Sequence, residues 1–350
     1  MQRKYVLPVV CIALLSACNN SSDSTITTFK NIDVKYPVTK KDTTVKDDYF
    51  GTAVADPYRW LENDTSAETA AWVKAENDVT QGYFSQIPFR DAIRKRYEKI
   101  FNYEKYSAPF RQGKHTYYYK NSGLQNQSVL YREADGVSAP DTFLDPNTFS
   151  KDGTTSLAGI AFSKDGSMAA YNISEGGSDW QKLVVMNAAD KKQLADTLEI
   201  KFSGASWKGN DGFYYCNYER PKQGSVLSGK NESHKLYYHK LGTSQKEDKL
   251  VYGSDASPVR YMGGYLSEDE RWLFISTANE TYGGALFVQD LSKPNSPVVP
   301  IVADMKKNHA IAHVDDHSFH IQSDLDAPTG KLLAAPIADP KPANWKTIIP

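Results

Sequence analysis

The stretch Ala158–Ser174, "AGIAFSKDGSMAAYNIS", holds the pattern that decides the fold. An apolar run ends at Phe162, a polar turn containing Asp-Gly follows, and a second strand-like run leads into polar residues. Asp-Gly between two such runs is a strong hairpin signal. The same plan recurs as "SAPFRQGKHTYYYKN" (107–121), "SGASWKGNDGFYYCNYE" (203–219), "MGGYLSEDERWLFISTA" (262–278) and "AIAHVDDHSFHIQSD" (310–324).

The spacing of these units indicates a repeat. Anchored on Phe110, Phe162, Trp207, Leu266 and Val314, the units recur at intervals of 52, 45, 59 and 48 residues. Each interval accommodates three to four strands, which is the size of a propeller blade. Residues 102–350 are therefore predicted to form an all-β partial propeller of about five blades with an incomplete ring. A multi-sheet sandwich with coincidental turn spacing remains the alternative.

The segment before the repeats has a helical period. Residues 36–101 are predicted to hold a short α-helical segment that begins with a capping box of Thr65 and Glu68. One apolar stripe follows in the first helix, and a second helix begins after Pro88. Two helices with one apolar face each must pack on something else.

The charge balance and the cysteines argue against two kinds of function, nucleic-acid binding and thiol chemistry. The 41 basic and 42 acidic residues give a net charge of −1, so no nucleic-acid partner is expected. Of the three cysteines, Cys216 lies in the strand-like run "GFYYCNYER" and is predicted to be a buried, inert thiol.

The N-terminus indicates export. Residues 1–17 combine a basic start with a short apolar run that is too short to span a bilayer, so they are predicted to be a signal peptide. "LSAC" (15–18) resembles the bacterial lipobox, which implies cleavage before Cys18 and its lipidation. An ordinary signal peptide is the alternative. Residues 18–35 are predicted to be a flexible tether that leaves a periplasmic lipoprotein anchored to the lipid bilayer of the outer membrane.

Several long motifs carry a resemblance to a known family. From residue 36 to residue 350 the chain resembles the amino-terminal half of the prolyl oligopeptidase family of serine peptidases. That family has a seven-bladed propeller capping an α/β-hydrolase domain. The motifs are "YPVTKKDTTVKDDYFGTAVADPYRWLEN", "AWVKAENDVTQGYF", "IPFRDAIRKRYEKIFNYEKYSAPF", "KNSGLQNQSVLY", "GSDW" and "HKLYYHKLGT".

The resemblance also implies a role for the segment "DPYRWLEN" (56–63). In the family this segment and the helices after it pack against the peptidase domain. Tyr58 and Trp60 are therefore predicted to dock that domain, because large aromatics with polar tips suit a domain seam. Packing on their own helix pair is the alternative.

The chemistry of the family is not expected within these 350 residues. A serine nucleophile of this kind lies in Gly-x-Ser-x-Gly between a strand and a helix, and the sequence contains no such pentapeptide. By the resemblance, the serine, aspartate and histidine belong to the absent α/β-hydrolase half. No catalytic residue is therefore assigned, and the chain is predicted to be inactive alone.

Other chemistry was weighed on the histidines. The stretch 309–320 is predicted to form a polar blade edge, with a metal site as the alternative, and its candidate ligands are His309, His313, Asp315, Asp316, His317 and His320. No metal and no cofactor are expected.

Two functions remain open. The first is the gating and docking part of an exported prolyl endopeptidase that acts on short proline-containing peptides. The alternative is a non-catalytic surface lipoprotein whose propeller binds peptide or glycan.

Overall fold

The computed structural model describes residues 31–134, 136, 139–221, 226 and 229–350. The predicted signal peptide, Cys18 and most of the predicted tether lie outside these residues. Within them, no helix has both the length and the apolar character needed to cross a membrane.

The first described elements are a hairpin and two helices. The hairpin pairs Lys46–Tyr49 with Thr52–Ala55, and a single 3-10 turn at Arg59–Glu62 follows it. Helix α1 spans Ala67–Ser85 and helix α2 spans Arg90–Phe101. The predicted capping box is wrong by one residue: Ser66 is the N-cap, because its side chain accepts a hydrogen bond from the Thr69 amide. The Thr65 hydroxyl instead donates a hydrogen bond to the Asn63 side chain.

Five antiparallel sheets follow, and in sheets 2 to 5 neighbouring strands follow the chain order, whereas in sheet 1 the first two short strands both pair with the third. Sheet 1 contains Lys105–Tyr106, Phe110–Gln112, His115–Asn121, Val129–Ala134 and Asp141–Leu144. Sheet 2 contains Thr155–Phe162, Met168–Glu175, Trp180–Asn187 and Gln193–Lys201. Sheet 3 contains Ser206–Lys208, Gly212–Asn217, Lys235–Lys240 and Lys249–Tyr252. Sheet 4 contains Tyr261–Leu266, Trp272–Ala278, Ala285–Asp290 and Val299–Val302. Sheet 5 contains His309–Val314, Ser318–Ser323, Lys331–Pro336 and Lys346–Ile349. Short 3-10 turns lie at Pro146–Thr148, Gln245–Glu247 and Pro342–Asn344.

The predicted repeat is confirmed strand by strand. Each of the anchors Phe110, Phe162, Trp207, Leu266 and Val314 lies on the strand that precedes the turn of the first hairpin in its sheet. Sheets 2 to 5 are simple up-and-down meanders, and sheet 1 differs in that two short strands together take the place of its first strand. This is the arrangement of propeller blades. Over the described residues the five sheets do not close a ring.

The core consists of four layers, one between each pair of successive sheets. In the strand Gly212–Asn217, Phe213 and Tyr215 pack against sheet 2, whereas Tyr214 and Cys216 pack against sheet 4. Side chains alternate between the two faces of a strand, so a sheet placed between two others is apolar on both faces. This double burial explains why the middle sheets read as nearly continuous apolar runs.

Close contacts between hairpin turns set the position of neighbouring sheets. Gly113 of sheet 1 has φ +55°, and a Cβ there would lie 2.2 Å from the carbonyl oxygen of Asp165 in sheet 2. Only glycine fits such an approach at positive φ. The Asp165 carboxylate then accepts a hydrogen bond from Asn210 of sheet 3 at 2.8 Å. The turns of three successive sheets are thereby joined.

Candidate functional site

One edge of the sheets gathers the features that point to function. In an antiparallel meander, the first and third strands begin, and the second and fourth strands end, at the same edge. We call this edge the leading rim. Hydrogen bonds run along it from sheet to sheet: Gln127 to Thr155, Lys201 to Asn217, and Met262 to His234.

The N-terminal helices enter at the leading rim. The strand Lys105–Tyr106, which follows α2, pairs with Lys120 and Asn121 at this edge of sheet 1. The Lys105 ammonium also donates a hydrogen bond of 2.7 Å to the carbonyl of Gly123. The chain therefore passes from the helical segment into the propeller at the leading rim.

The two helices carry an apolar stripe with no cover. Thr69 is the only buried residue of α1, and α2 has none. On α2 the side chains of Ile93, Tyr97 and Ile100 are 59%, 57% and 51% exposed. Contiguous exposed apolar surface of this kind marks an interaction site in a soluble protein.

Tyr58 and Trp60 lie just before these helices and differ in their surroundings. Tyr58 is exposed. The Trp60 indole N–H donates a hydrogen bond of 3.0 Å to the carbonyl of Lys40, and the Trp60 carbonyl accepts one from the Thr69 hydroxyl. Trp60 is thus anchored within its own segment, while the Tyr58 ring is open to a partner. The docking role of both residues stays a prediction.

A cavity opens on the leading rim between sheets 4 and 5. It has a volume of about 600 Å³ and is lined by Tyr261, Thr277, Glu280, His309, Ser323 and Asp324, among others. This size suits a small molecule or part of a peptide. Sequence reasoning missed this cavity. The sequence feature that could have indicated the cavity is Gly283. A Cβ at this position would lie 2.0 Å from the carbonyl oxygen of Met305, so only glycine lets these two loops approach each other.

The cavity contains a serine–histidine pair. The Ser323 hydroxyl lies 2.9 Å from Nδ1 of His309, and its oxygen accepts a hydrogen bond from the amide of Leu325. Burial lowers the pKa of His309. In the described part of the chain, no carboxylate forms a hydrogen bond with the other ring nitrogen of His309, so the pair lacks the orienting acid of a catalytic triad.

Aromatic rings extend the same surface. Phe202, at the end of sheet 2, lies 6.4 Å from the ring of Tyr261, and both rings are substantially exposed. Phe202 has φ +54°, a conformation that is rare for a bulky residue. A strained, exposed aromatic residue on a rim is typical of a functional surface.

A second cavity lies at the opposite edge and gathers residues from sheets that are not neighbours. Its volume is about 590 Å³, and its lining includes Lys164 of sheet 2, Tyr265 of sheet 4 and His313 of sheet 5. Sheets 2 and 5 can share a cavity only near the axis around which the sheets are arranged. This is the position of a propeller's central passage.

The histidines predicted to form a polar blade edge are distributed over two strands of sheet 5. His309 and His313 lie on the first strand of sheet 5 and His320 on its second strand, where Nε2 of His320 is 2.6 Å from Oδ2 of Asp315. Over the residues that the structure covers, no group of three or more histidine, cysteine, aspartate or glutamate side chains is placed to hold a metal ion.

Cys216 is buried in the layer between sheets 3 and 4, as the sequence predicted. Burial raises the pKa of its thiol to about 12. A thiol that stays protonated at neutral pH is a poor nucleophile. Cys216 therefore serves packing.

The fold and rim define the class of protein, a β-propeller preceded by a helical segment. A family model described as "Prolyl oligopeptidase, N-terminal beta-propeller domain" matches residues 37–350. The chain belongs to the prolyl oligopeptidase family.

Individual relatives agree with this assignment. The prolyl endopeptidase of Elizabethkingia meningoseptica is 50% identical over 317 residues, which are 90% of this chain and 44% of that protein. Prolyl oligopeptidase A of Amanita bisporigera is 32% identical and is matched over 43% of its length. The solved structure of prolyl oligopeptidase B from Galerina marginata, bound to a 35mer hydrolysis and macrocyclization substrate, superimposes with a TM-score of 0.77 at 27% identity. That match covers 92% of this chain and 48% of the other. The chain thus spans less than half the length of these relatives.

Proposed function

We propose that this chain is the gating and docking part of an exported serine endopeptidase that cleaves short peptides after proline. Its propeller restricts access to a catalytic centre, and its helical segment holds an α/β-hydrolase domain against the leading rim. That domain supplies the serine, the histidine and the acid. The 50% identity to a prolyl endopeptidase supports the reaction class.

The observation that carries the proposal is the uncovered stripe of α2. Ile93, Tyr97 and Ile100 are more than half exposed, and they lie on the element that leads directly into the leading rim. A propeller that only bound ligands would leave this apolar surface in water. A domain docked on the rim covers it and faces the cavity between sheets 4 and 5.

The gating role rests on the central cavity. A passage whose wall is formed by residues of sheets 2, 4 and 5 admits an extended peptide and excludes a folded protein. Exclusion of bulk water from a covered site also strengthens the electrostatic interactions on which acyl transfer depends.

The proposed location is the periplasmic face of the outer membrane, with lipidated Cys18 as the anchor. It rests on the lipobox-like sequence at residues 15–18 and on the polar segment after it. An anchored propeller would meet small peptides that diffuse through the periplasm.

Cleavage of a proline–p-nitroanilide peptide tests the reaction. We expect none from the chain alone, and cleavage when the chain is combined with the hydrolase half of the 50% identical endopeptidase. The matched control is the same hydrolase half with its nucleophilic serine changed to alanine.

Two further results would distinguish the candidate functions. A coding frame that continues beyond codon 350 into Gly-x-Ser-x-Gly, followed by Asp and His, agrees with the endopeptidase. A stop codon, no association with a hydrolase half and tight binding of a peptide or glycan would instead establish the non-catalytic lipoprotein.

A further inference from the structure

Two buried lysines on the leading rim differ in their partners. Lys235 is 7% exposed, and its ammonium lies 3.2 Å from Glu219 and 2.9 Å from Asp255. Lys201 is 5% exposed, but no carboxylate or other hydrogen-bond acceptor of the described chain contacts its ammonium. The Lys201 ammonium is not sealed from water, so its N–H groups remain able to donate to an oxygen of a ligand.

Aromatic rings form the surroundings of Lys201. Its Nζ lies 5.7 Å from the ring centre of Trp180 and 5.2 Å from that of Phe202. Trp180 and Lys201 are direct partners across two strands of sheet 2, so both side chains lie on the same face of the sheet. Cation–π contacts orient an ammonium, but they leave its N–H donors without acceptors.

The indole N–H of Trp180, like the Lys201 ammonium, lacks a hydrogen-bond acceptor within the described chain. Its Nε1–H is buried and has no hydrogen-bond partner among the described residues. A buried donor without an acceptor is rare in native proteins and requires an explanation. The guanidinium of Arg220 lies 5.2 Å from the same ring, and the carboxylate that pairs with it, Glu199, is at the exposed surface. Two cations, Lys201 and Arg220, thus lie at this indole, and Glu199 pairs with only one of them.

We propose that Lys201 and the Trp180 indole form a subsite for the carboxylate of a short peptide. One ammonium and one N–H donor match the two oxygens of a carboxylate, and the exposed ring of Phe202 offers an apolar surface to the adjoining residue. The identification of the ligand as a peptide rests on the proposed function. The carboxylate comes from the peptide's C-terminus or from an acidic side chain.

The test measures binding without cleavage, so its failure is distinct from a failure of the proposed function. The chain is labelled with 5-fluorotryptophan, and the Trp180 resonance in the ¹⁹F NMR spectrum is assigned with Trp180→Phe. Three acetylated alanine–proline tetrapeptides are titrated: one with a free C-terminus, its C-terminal amide, and the amide with one glutamate. Inorganic phosphate serves as a fourth ligand.

We expect a free carboxylate to shift the Trp180 resonance and the plain amide to leave it in place. Lys201→Met should weaken carboxylate binding at least about tenfold, because a charge-assisted hydrogen bond is lost. Lys201→Arg should retain binding. Lys182→Met is the matched control, because Lys182 lies on the same strand as Trp180 and already pairs with Glu175 at 2.6 Å.

The remaining outcomes are also decisive. A response to the free C-terminus alone, or to the glutamate alone, identifies the source of the carboxylate. Equal binding of the carboxylate and amide peptides would overturn the proposal. So would a resonance that responds only to phosphate, or a folded Lys201→Met protein that binds like the wild type.

Discussion

His239 of sheet 3 and Asp196 of sheet 2 are joined by a contact of 3.1 Å between Nε2 and Oδ1 that crosses from one sheet to the next. On its other side, Nδ1 of His239 lies 2.7 Å from Asp248, which also accepts a hydrogen bond from the Tyr215 hydroxyl. The imidazole is fully buried. With a carboxylate on each side, both ring nitrogens donate, which is the protonated form.

This arrangement predicts that stability falls as pH rises above neutrality. Burial alone would lower the pKa of His239, but the carboxylates of Asp248 and Asp196 outweigh it and the pKa is raised. When the pKa of a histidine is higher in the folded than in the unfolded protein, its full contribution to the stability of the fold is present below the unfolded pKa of about 6.5. That contribution is lost as pH rises through the folded pKa. Thermal unfolding from pH 6 to pH 9 measures it.

The variant for comparison is His239→Phe, which should show a flatter dependence of melting temperature on pH over the same range. If that variant does not fold, Asp196→Asn serves instead, since it keeps an acceptor and removes one charge. An identical pH dependence in the wild type and the variant would contradict the prediction.

Packing between sheets 4 and 5 predicts a large loss of stability for Phe319→Ala. The Phe319 ring is fully buried and meets the rings of Trp272 at 5.0 Å and Phe274 at 5.4 Å, both nearly perpendicular. Removing such a ring costs about 3–5 kcal/mol. Urea unfolding measures the change. Gln322→Ala, on the exposed face of the same strand, is the control and should change stability by less than about 0.5 kcal/mol.

A loss for Phe319→Ala below about 1 kcal/mol would mean that the two sheets do not pack face to face. A double-mutant cycle of Trp272 and Phe319 isolates the contact itself. We expect a coupling of about 0.5–1.5 kcal/mol from this pair.

The thiol of Cys216 should be inert in the folded protein. Because its pKa is raised to about 12 and the side chain is buried, 5,5′-dithiobis(2-nitrobenzoate) at pH 8 should not react with it until denaturant is added. Cys216→Ala is the matched control, and its reactivity in the native state should equal that of the wild type. Rapid native labelling that Cys216→Ala abolishes would refute this prediction.

The proposed lipid anchor predicts that radiolabelled palmitate is incorporated in cells that produce residues 1–350. Cys18→Ser should remove the label and release the protein into the soluble fraction. Cys11→Ser should retain both the label and membrane attachment, because residue 11 lies in the predicted signal peptide. Soluble wild-type protein without label would show that residues 1–17 are an ordinary signal peptide.

The repeat and the fold class could be predicted from the sequence because hairpin turns and strand alternation are local. Asp165-Gly166 specifies its turn without reference to the rest of the chain. The helix start was predicted one residue too early, because Thr65 and Ser66 are adjacent and equally suited to cap. Only the structure shows that Asn63 binds the Thr65 hydroxyl.

The candidate sites depended on contacts between distant residues, which no local pattern records. Nothing in the sequence distinguishes Lys201 from a solvated surface lysine. Its position beside Trp180 and Phe202 arises from strand pairing. The His239 contact likewise joins residues 43 positions apart. The sequence features that could have indicated such contacts are glycines such as Gly283. Because glycine has no side chain, another part of the backbone can approach it closely.

The most direct test of the account is the affinity between this chain and an α/β-hydrolase half, measured by isothermal titration calorimetry. We predict binding by the wild type and a loss of at least about tenfold in Ile93→Glu, because a buried charge at the docking face costs more than 1.4 kcal/mol. Lys95→Glu, in the same helix, should bind like the wild type. Unchanged affinity in Ile93→Glu, or no binding by the folded wild type, would contradict the account.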